Sequence, residues 1–213
     1  MHIVVCIKQV PDTQDIKWTE KGTMVREGVE SIINPYDEYA LETALKIKDT
    51  NPDAKITVVT MGPPQAVDIL RIAIARGADA GLLVSDKKFA GSDTQATSIT
   101  LSTAIKKMIP DFDLIVCGQF AIDGDTAQTG PSMAQHLNLP QVTYVCDMEK
   151  AENRTVTVMK ETEEGFFKMQ MDLPGLICVL KTEEEPRKFT IRGYIKALKT
   201  EIPSVNMESL EFT

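Results

Sequence analysis

Side chains able to do covalent or metal chemistry are scarce in this sequence. It holds two histidines, His2 and His136, and four cysteines, Cys6, Cys117, Cys146 and Cys178. The histidines stand far apart in unlike contexts, and neither falls in a metal-ligand spacing. A zinc site or a histidine-based triad is therefore hard to build. No two cysteines form a C-x-x-C pair. Cys6, Cys117 and Cys178 sit inside the apolar runs IVVCI, LIVCG and LICVL, where cysteine acts as a small core hydrophobe. That usage suits a reduced, cytoplasmic protein. Asp123 and Asp125 form a carboxylate pair, but nothing near them in sequence would shift a pKa, so general acid–base catalysis is unsupported. The chemistry then comes from a borrowed cofactor, or the role is binding.

The segment best suited to hold a cofactor is GQFAIDGDTAQTG, from Gly118 to Gly130. It offers glycines for close backbone approach, hydroxyls at Thr126 and Thr129, and an oncoming helix N-terminus whose N–H groups and dipole suit a phosphate. It has neither a Walker lysine nor a G-x-G-x-x-G spacing, so it is not a P-loop or a standard dinucleotide fingerprint. Two readings stand: a nucleotide site, or aspartates that only cap the turn and the helix. Gly91-Ser92-Asp93-Thr94 has the same two readings, with capping the simpler. Met61 ends a strand where a ligand would sit; the other methionines read as core filler.

Among the elements that carry these residues, 3–10, 55–61, 80–84 and 113–117 read as buried strands, each a short apolar run. Helical patterns separate them: one opening at Asn34-Pro35, with Asn as cap, one stopped by Gly77, one started by Gly91-Ser92-Asp93-Thr94 and running to about Met108, and one near 130–139. Strands alternating with helices imply right-handed βαβ units and a parallel sheet. In such a sheet the ligand sits beyond the carboxyl ends of the strands, at a switch in strand order. Residues 15–33 read as a small hairpin or an irregular excursion. After Pro140 the pattern changes to four strands, 141–148, 154–161, 165–172 and 175–180, with no helices between them, an antiparallel extension of the core. A short basic helix, IRGYIKALK, and a polar tail follow.

The balance of 23 Lys and Arg against 31 Asp and Glu gives a net charge of −8. That argues against nucleic acid and against an anionic membrane surface as partners. No apolar run is long enough to insert in a membrane.

Several blocks carry a resemblance: KQVPDT (8–13), NPYDEYALETAL (34–45), VTMGPPQA (59–66), RGAD (76–79), FAGSDTQAT (89–97), AIDGDTAQTGP (121–131), and EEPR followed by RGYIKALK. In this order the chain resembles the beta subunit of electron transfer flavoprotein, including the FixA branch. The resemblance implies a Rossmann-like, three-layer α/β sandwich that binds an adenine nucleotide. It covers 1–200 as one domain, with the β-rich extension 141–180 inside it and 201–213 as a short or truncated tail. It also implies an alpha subunit carrying FAD as partner. The nucleotide on the beta subunit is implied to lie against Cys6, Asn34, Pro35, Tyr36, Asp37 and Met61, and against Gly118, Gln119, Phe120, Ala121, Ile122, Asp123, Gly124, Asp125, Thr126, Ala127, Gln128 and Thr129.

Two branches differ in that nucleotide. The mitochondrial type holds structural AMP. The electron-bifurcating type holds a second FAD that accepts hydride from NADH and passes electrons to the alpha-subunit FAD and to a ferredoxin or flavodoxin. Gly124 and the small Thr126-Ala127 pair resemble the bifurcating type, which makes FAD the expectation and AMP the alternative. A flavin dehydrogenase is the other implied partner. The family usually has Lys-Gln after the glycine of strand four; here Gln119 and Phe120 stand there. A universal-stress-type nucleotide-binding module, built on a similar core, is the runner-up function.

Overall fold

The computed structural model describes residues 1–12, 17–18, 24–25 and 31–211. The strands in chain order are β1 (His2–Cys6), β2 (Gln9–Pro11), β3 (Lys17–Trp18), β4 (Met24–Val25), β5 (Ser31–Ile33), β6 (Lys55–Met61), β7 (Ala80–Val84), β8 (Leu114–Gly118), β9 (Gln141–Glu152), β10 (Thr155–Thr162), β11 (Gly165–Asp172), β12 (Gly175–Val179) and β13 (Ser204–Val205). The helices are α1 (Pro35–Thr50), α2 (Val67–Arg76), α3 (Thr94–Met108), α4 (Thr129–Leu137), α5 (Ile191–Lys199) and α6 (Met207–Leu210).

Nine strands form one sheet in the order β11-β10-β9-β12-β8-β1-β6-β7-β13. β1 pairs in parallel with both β6 and β8, and β12 with β8. The central strands are apolar on both faces because helices cover both. Ile3 and Val5 of β1, with Val116 and Ile177, pack towards α1 and α2. Val4 and Cys6, with Ile115 and Cys117, pack towards α3 and α4. These are the three layers of a Rossmann-like sandwich. α2 ends at Gly77, whose φ of 135° an L side chain rarely adopts.

Three sequence expectations are corrected. Residues 3–10 are not one strand. β1 stops at Cys6, and Gln9–Pro11 pairs instead with Ser31–Ile33 in a separate two-stranded sheet. The cause lies at Lys8, whose backbone N–H donates to the Asp37 carboxylate rather than to a ladder. The segment 175–180 is not antiparallel. β12 is apolar throughout and inserts as a parallel strand between β8 and β9, so the antiparallel part is β9, β10 and β11 alone. The polar tail is not bare: β13 adds a parallel edge to β7. Within 15–33, the described pairs Lys17–Trp18 and Met24–Val25 run antiparallel as a hairpin would. The rest of that segment between 13 and 30, and the Trp18 side chain, lie outside the described residues.

α5 is seated by its small residues. A Cβ on Gly193 would strike the Ala75 carbonyl oxygen, and the Arg71 guanidinium donates to the Ala197 carbonyl at 2.9 Å. Its large residues, among them Ile191 at 82% exposed, face outward. The stretch before α5 is strapped to α1 through Arg187, which donates to Glu42 at 2.9 Å and to Asp49 at 2.6 Å. Glu42 is nearly buried, so Arg187→Met strands its charge and should lower stability by about 2 kcal/mol. Urea unfolding checks this, and a change below about 0.5 kcal/mol would mean the strap contributes no more than a surface ion pair.

Candidate functional site

The chain leaves β1 for β6 and β7 on one side, then returns to β8 on the other. Strand order therefore reverses between β1 and β8, and a crevice must open beyond their carboxyl ends. A cavity of about 900 Å³ lies there. That is at the upper end of the usual range for cofactor sites.

The floor is Cys6, Cys117 and Met61, at or near the carboxyl ends of β1, β8 and β6. Cys6 stands directly opposite Cys117, and Cys117 opposite Cys178, in the parallel register. The Cys117 thiol is held well above its ordinary pKa; Cys178 lowers it, but Cys6 and burial outweigh that. A protonated, buried thiol is a poor nucleophile, so the floor is a packing surface rather than a reactive one.

The crevice is stapled by the first turn of α1. Asp37 is 6% exposed, and its carboxylate accepts the N–H of Lys8, just past β1, at 2.7 Å and the N–H of Gly118, at the end of β8, at 3.2 Å. Burial pushes its pKa up to about 7, against the pull of these donors, of Asn34 and of the Lys8 charge. Gly118 is required by the closeness of this contact, since a Cβ there would run into Asp37 and Tyr36. Asn34 stands at the N-cap position of α1 but caps nothing. It is 1% exposed; its amide donates to the Phe120 carbonyl at 2.7 Å and its oxygen accepts the Ile122 N–H at 3.2 Å. Of the two side chains that sequence reading assigns to starting the helix, Asn34 holds the loop after β8 and Asp37 ties the ends of β1 and β8 together.

That loop leads into α4, whose N-terminus has no side-chain cap. Asp123 pairs with Lys8 at 2.6 Å, so it does not cap the helix, and neither does Asp125. Asp125 and Ala127 have φ of 48° and 55°, and Gln128 follows Ala127 in the right-handed region. A left-handed residue followed by a right-handed one makes successive N–H groups converge into an anion-binding concavity. The first-turn N–H groups of α4 add to it, because they have no partners within the helix. α3 differs. Asp93 caps it by accepting the Ala96 N–H at 2.8 Å, which bears out the capping reading of 91–94. The same segment also lines the cavity, with the Thr94 and Thr126 hydroxyls 3.4 Å apart.

Of the residues singled out from sequence, Cys6, Asp37, Met61, Gly118–Ala121 and Gly124–Thr129 line the cavity. Asn34, Pro35, Tyr36, Ile122 and Asp123 do not. Gln119 is buried, and its side-chain oxygen accepts the Tyr144 N–H at 2.7 Å. Lys8, Thr97 and Leu101 line the cavity without having been singled out. Helical periodicity marks Leu101 as core only, and the one available signal was a polar first turn at Thr94 and Thr97. Among the described residues no group of histidine, cysteine and carboxylate side chains could hold a metal ion. No helix among them is long and apolar enough to cross a membrane.

A model of the electron transfer flavoprotein domain matches residues 21–209. The chain is 50% identical over 212 residues to an electron transfer flavoprotein subunit beta of Megasphaera elsdenii, covering 97% of this chain and 78% of that one. It is 47% identical over 211 residues to the caffeyl-CoA reductase-Etf complex subunit CarD of Acetobacterium woodii, covering 99% and 80%. It is 44% identical over 212 residues to Protein FixA of Sinorhizobium fredii, covering 97% and 74%.

Proposed function

Because the chain belongs to the electron transfer flavoprotein family, among its beta-type subunits, we propose that its cavity holds FAD and that it works as the nucleotide-bearing half of a cytoplasmic heterodimer. The observation that carries this reading is the uncapped first turn of α4, with the concavity at Ala127 and Gln128, facing a cavity of about 900 Å³. A pyrophosphate suits those converging N–H groups. Thr126 and Gln128 would hold it, and the Met61 and Cys6 floor would pack against the rest. A Cβ on Gly124 would meet nothing within 4 Å, so the loop leaves room for a ligand longer than AMP.

Bound FAD supplies redox chemistry that no side chain here provides, exchanging electrons with NADH or a dehydrogenase. The chain's own part is to bind and orient. Asp37 and Asn34 fix the loop, the apolar floor excludes water, and Lys8, which lines the cavity, brings a positive charge to it. The second subunit is an alpha subunit carrying its own FAD, and the pair passes electrons in the bifurcating manner, with a ferredoxin or flavodoxin as the low-potential acceptor.

The test is a nucleotide count. Mass spectrometry of small molecules released from the purified heterodimer should give two FAD per complex. One FAD with one AMP would overturn the FAD assignment in favour of a structural mononucleotide.

A further inference from the structure

One ion pair joins the two sides of the crevice. The Lys8 ammonium, just past β1, lies 2.6 Å from a carboxylate oxygen of Asp123, in the loop after β8. Both ends are already held by other contacts. The Lys8 backbone N–H donates to Asp37. The loop is closed into a turn by the Gly124 and Asp125 N–H groups, which both donate to the Ala121 carbonyl, at 3.1 and 2.8 Å. The paired side chains are 48% and 36% exposed. An exposed pair at a place fixed by other bonds adds little to folding, so the fold does not explain it.

The charge around the cavity does. Its lining includes four carboxylates, Asp37, Asp86, Asp93 and Asp125, against two ammonium groups, Lys8 and Lys87. Leaving Asp37 aside, whose pKa is raised to about 7, the carboxylates still outnumber the lysines. A phosphate bound here needs a cation at close range. Lys87 follows β7, three strands from β8 in the sheet order, which is about 14 Å at ordinary strand spacing. Lys8 follows β1, the strand next to β8, and so stands beside the loop that leads into α4.

We propose that the Lys8 ammonium binds the phosphates of the nucleotide and that Asp123 competes with them for it; this rests on the nucleotide reading above. Asp123 then sets the affinity of a cavity that it does not itself line. Lysine suits such an exchange, because its ammonium is a compact charge with three donors on a flexible stem. Lys8 lines the cavity, as do Ala121 and Gly124 on either side of Ile122 and Asp123, so the exchange needs only a rotation of the lysine stem. A plain strap would act in the opposite sense. If the pair only held the loop, losing either partner would loosen it and weaken binding. Under competition, losing Lys8 weakens binding and losing Asp123 strengthens it.

The test titrates ADP, and separately adenosine, into the full chain freed of bound nucleotide, by calorimetry. Lys8→Met should weaken ADP binding about tenfold, and Asp123→Asn should tighten it about threefold. Lys8→Arg should keep most of the wild-type affinity. Adenosine, which has no phosphate, should bind every form alike. In the double variant the gain from Asp123→Asn should vanish, since it acts through Lys8. Lys8→Met keeps the backbone N–H that Asp37 accepts, so its melting temperature should match wild type. Weaker ADP binding in Asp123→Asn would overturn the proposal in favour of a strap. A gain that survives in the double variant would overturn it in favour of direct repulsion, and equal effects on ADP and adenosine would also overturn it. ADP binding indifferent to Lys8→Met would overturn this proposal alone, whereas a wild type that binds no ADP would overturn the nucleotide reading with it.

Discussion

Asp37→Ala is expected to lower stability by about 3 kcal/mol and the melting temperature by roughly 10 °C, and to cost at least about tenfold in nucleotide affinity. The substitution leaves the N–H groups of Lys8 and Gly118 without their acceptor. Those groups end β1 and β8, so the two sides of the crevice lose the tie that sets their spacing. Asp37→Asn isolates the charge. Asn keeps one acceptor but cannot titrate. The wild-type carboxyl has its pKa raised to about 7 in the folded protein, from an ordinary 3.8. Between those values the folded state holds a proton that the unfolded chain releases, so this group's contribution falls as pH rises from about 4 to about 7 and is flat above. The advantage of wild type over Asp37→Asn should therefore be largest near pH 4 and shrink towards pH 7. Urea unfolding at several pH values reads this directly, and a pH-independent gap would show that the carboxyl does not titrate there.

Gly118→Ala should be as damaging for a different reason. A Cβ at this position would lie 2.7 Å from the Tyr36 carbonyl carbon and 2.8 Å from its Cβ, and would press on an Asp37 oxygen. Two of these are atoms close to the backbone of α1, which cannot swing aside. Overpacking of this kind costs about 3 kcal/mol, and relief would come only by moving the helix that holds the loop after β8. Lower thermal stability and loss of bound nucleotide should appear together. Gly124→Ala is the contrast, since nothing lies within 4 Å of its added carbon. Its stability should stay within about 0.5 kcal/mol of wild type. If Gly118→Ala melted like Gly124→Ala, the close contact with α1 would not be a constraint on the fold.

The parts of this molecule that were legible in sequence depended on local signals. β6 and β7 begin and end where their apolar runs do, and Gly77 stops α2 as a glycine cap should. The loop from Gly118 to Gly130 could be recognised from its glycines, hydroxyls and oncoming helix. What was not legible depended on partners distant in the chain. Whether Asp123 caps α4 was undecidable locally, because its partner Lys8 is 115 residues away. The break after β1 depends on Asp37, 29 residues on. Asn34 reads as a helix cap from type and position alone, and only the nearness of Phe120 and Ile122 diverts it. The place of β12 was missed for a related reason: its composition fitted a buried strand, but direction is set by which neighbours it finds.

The order of the sheet also bears on how the protein is made. β1 leaves the ribosome first, yet its neighbour β8 begins at Leu114 and its neighbour β6 at Lys55. An apolar strand with both edges destined for burial therefore waits with one edge open until β8 has been synthesised, more than a hundred residues later. Long-range parallel pairing of this kind folds slowly and exposes unpaired edges meanwhile. β12, the outermost of the five central strands, arrives later still. The nucleotide crevice, set between the earliest strand and β8, thus closes later than the half built from β6 and β7, and synthesis speed and chaperone supply bear on it more than on that half.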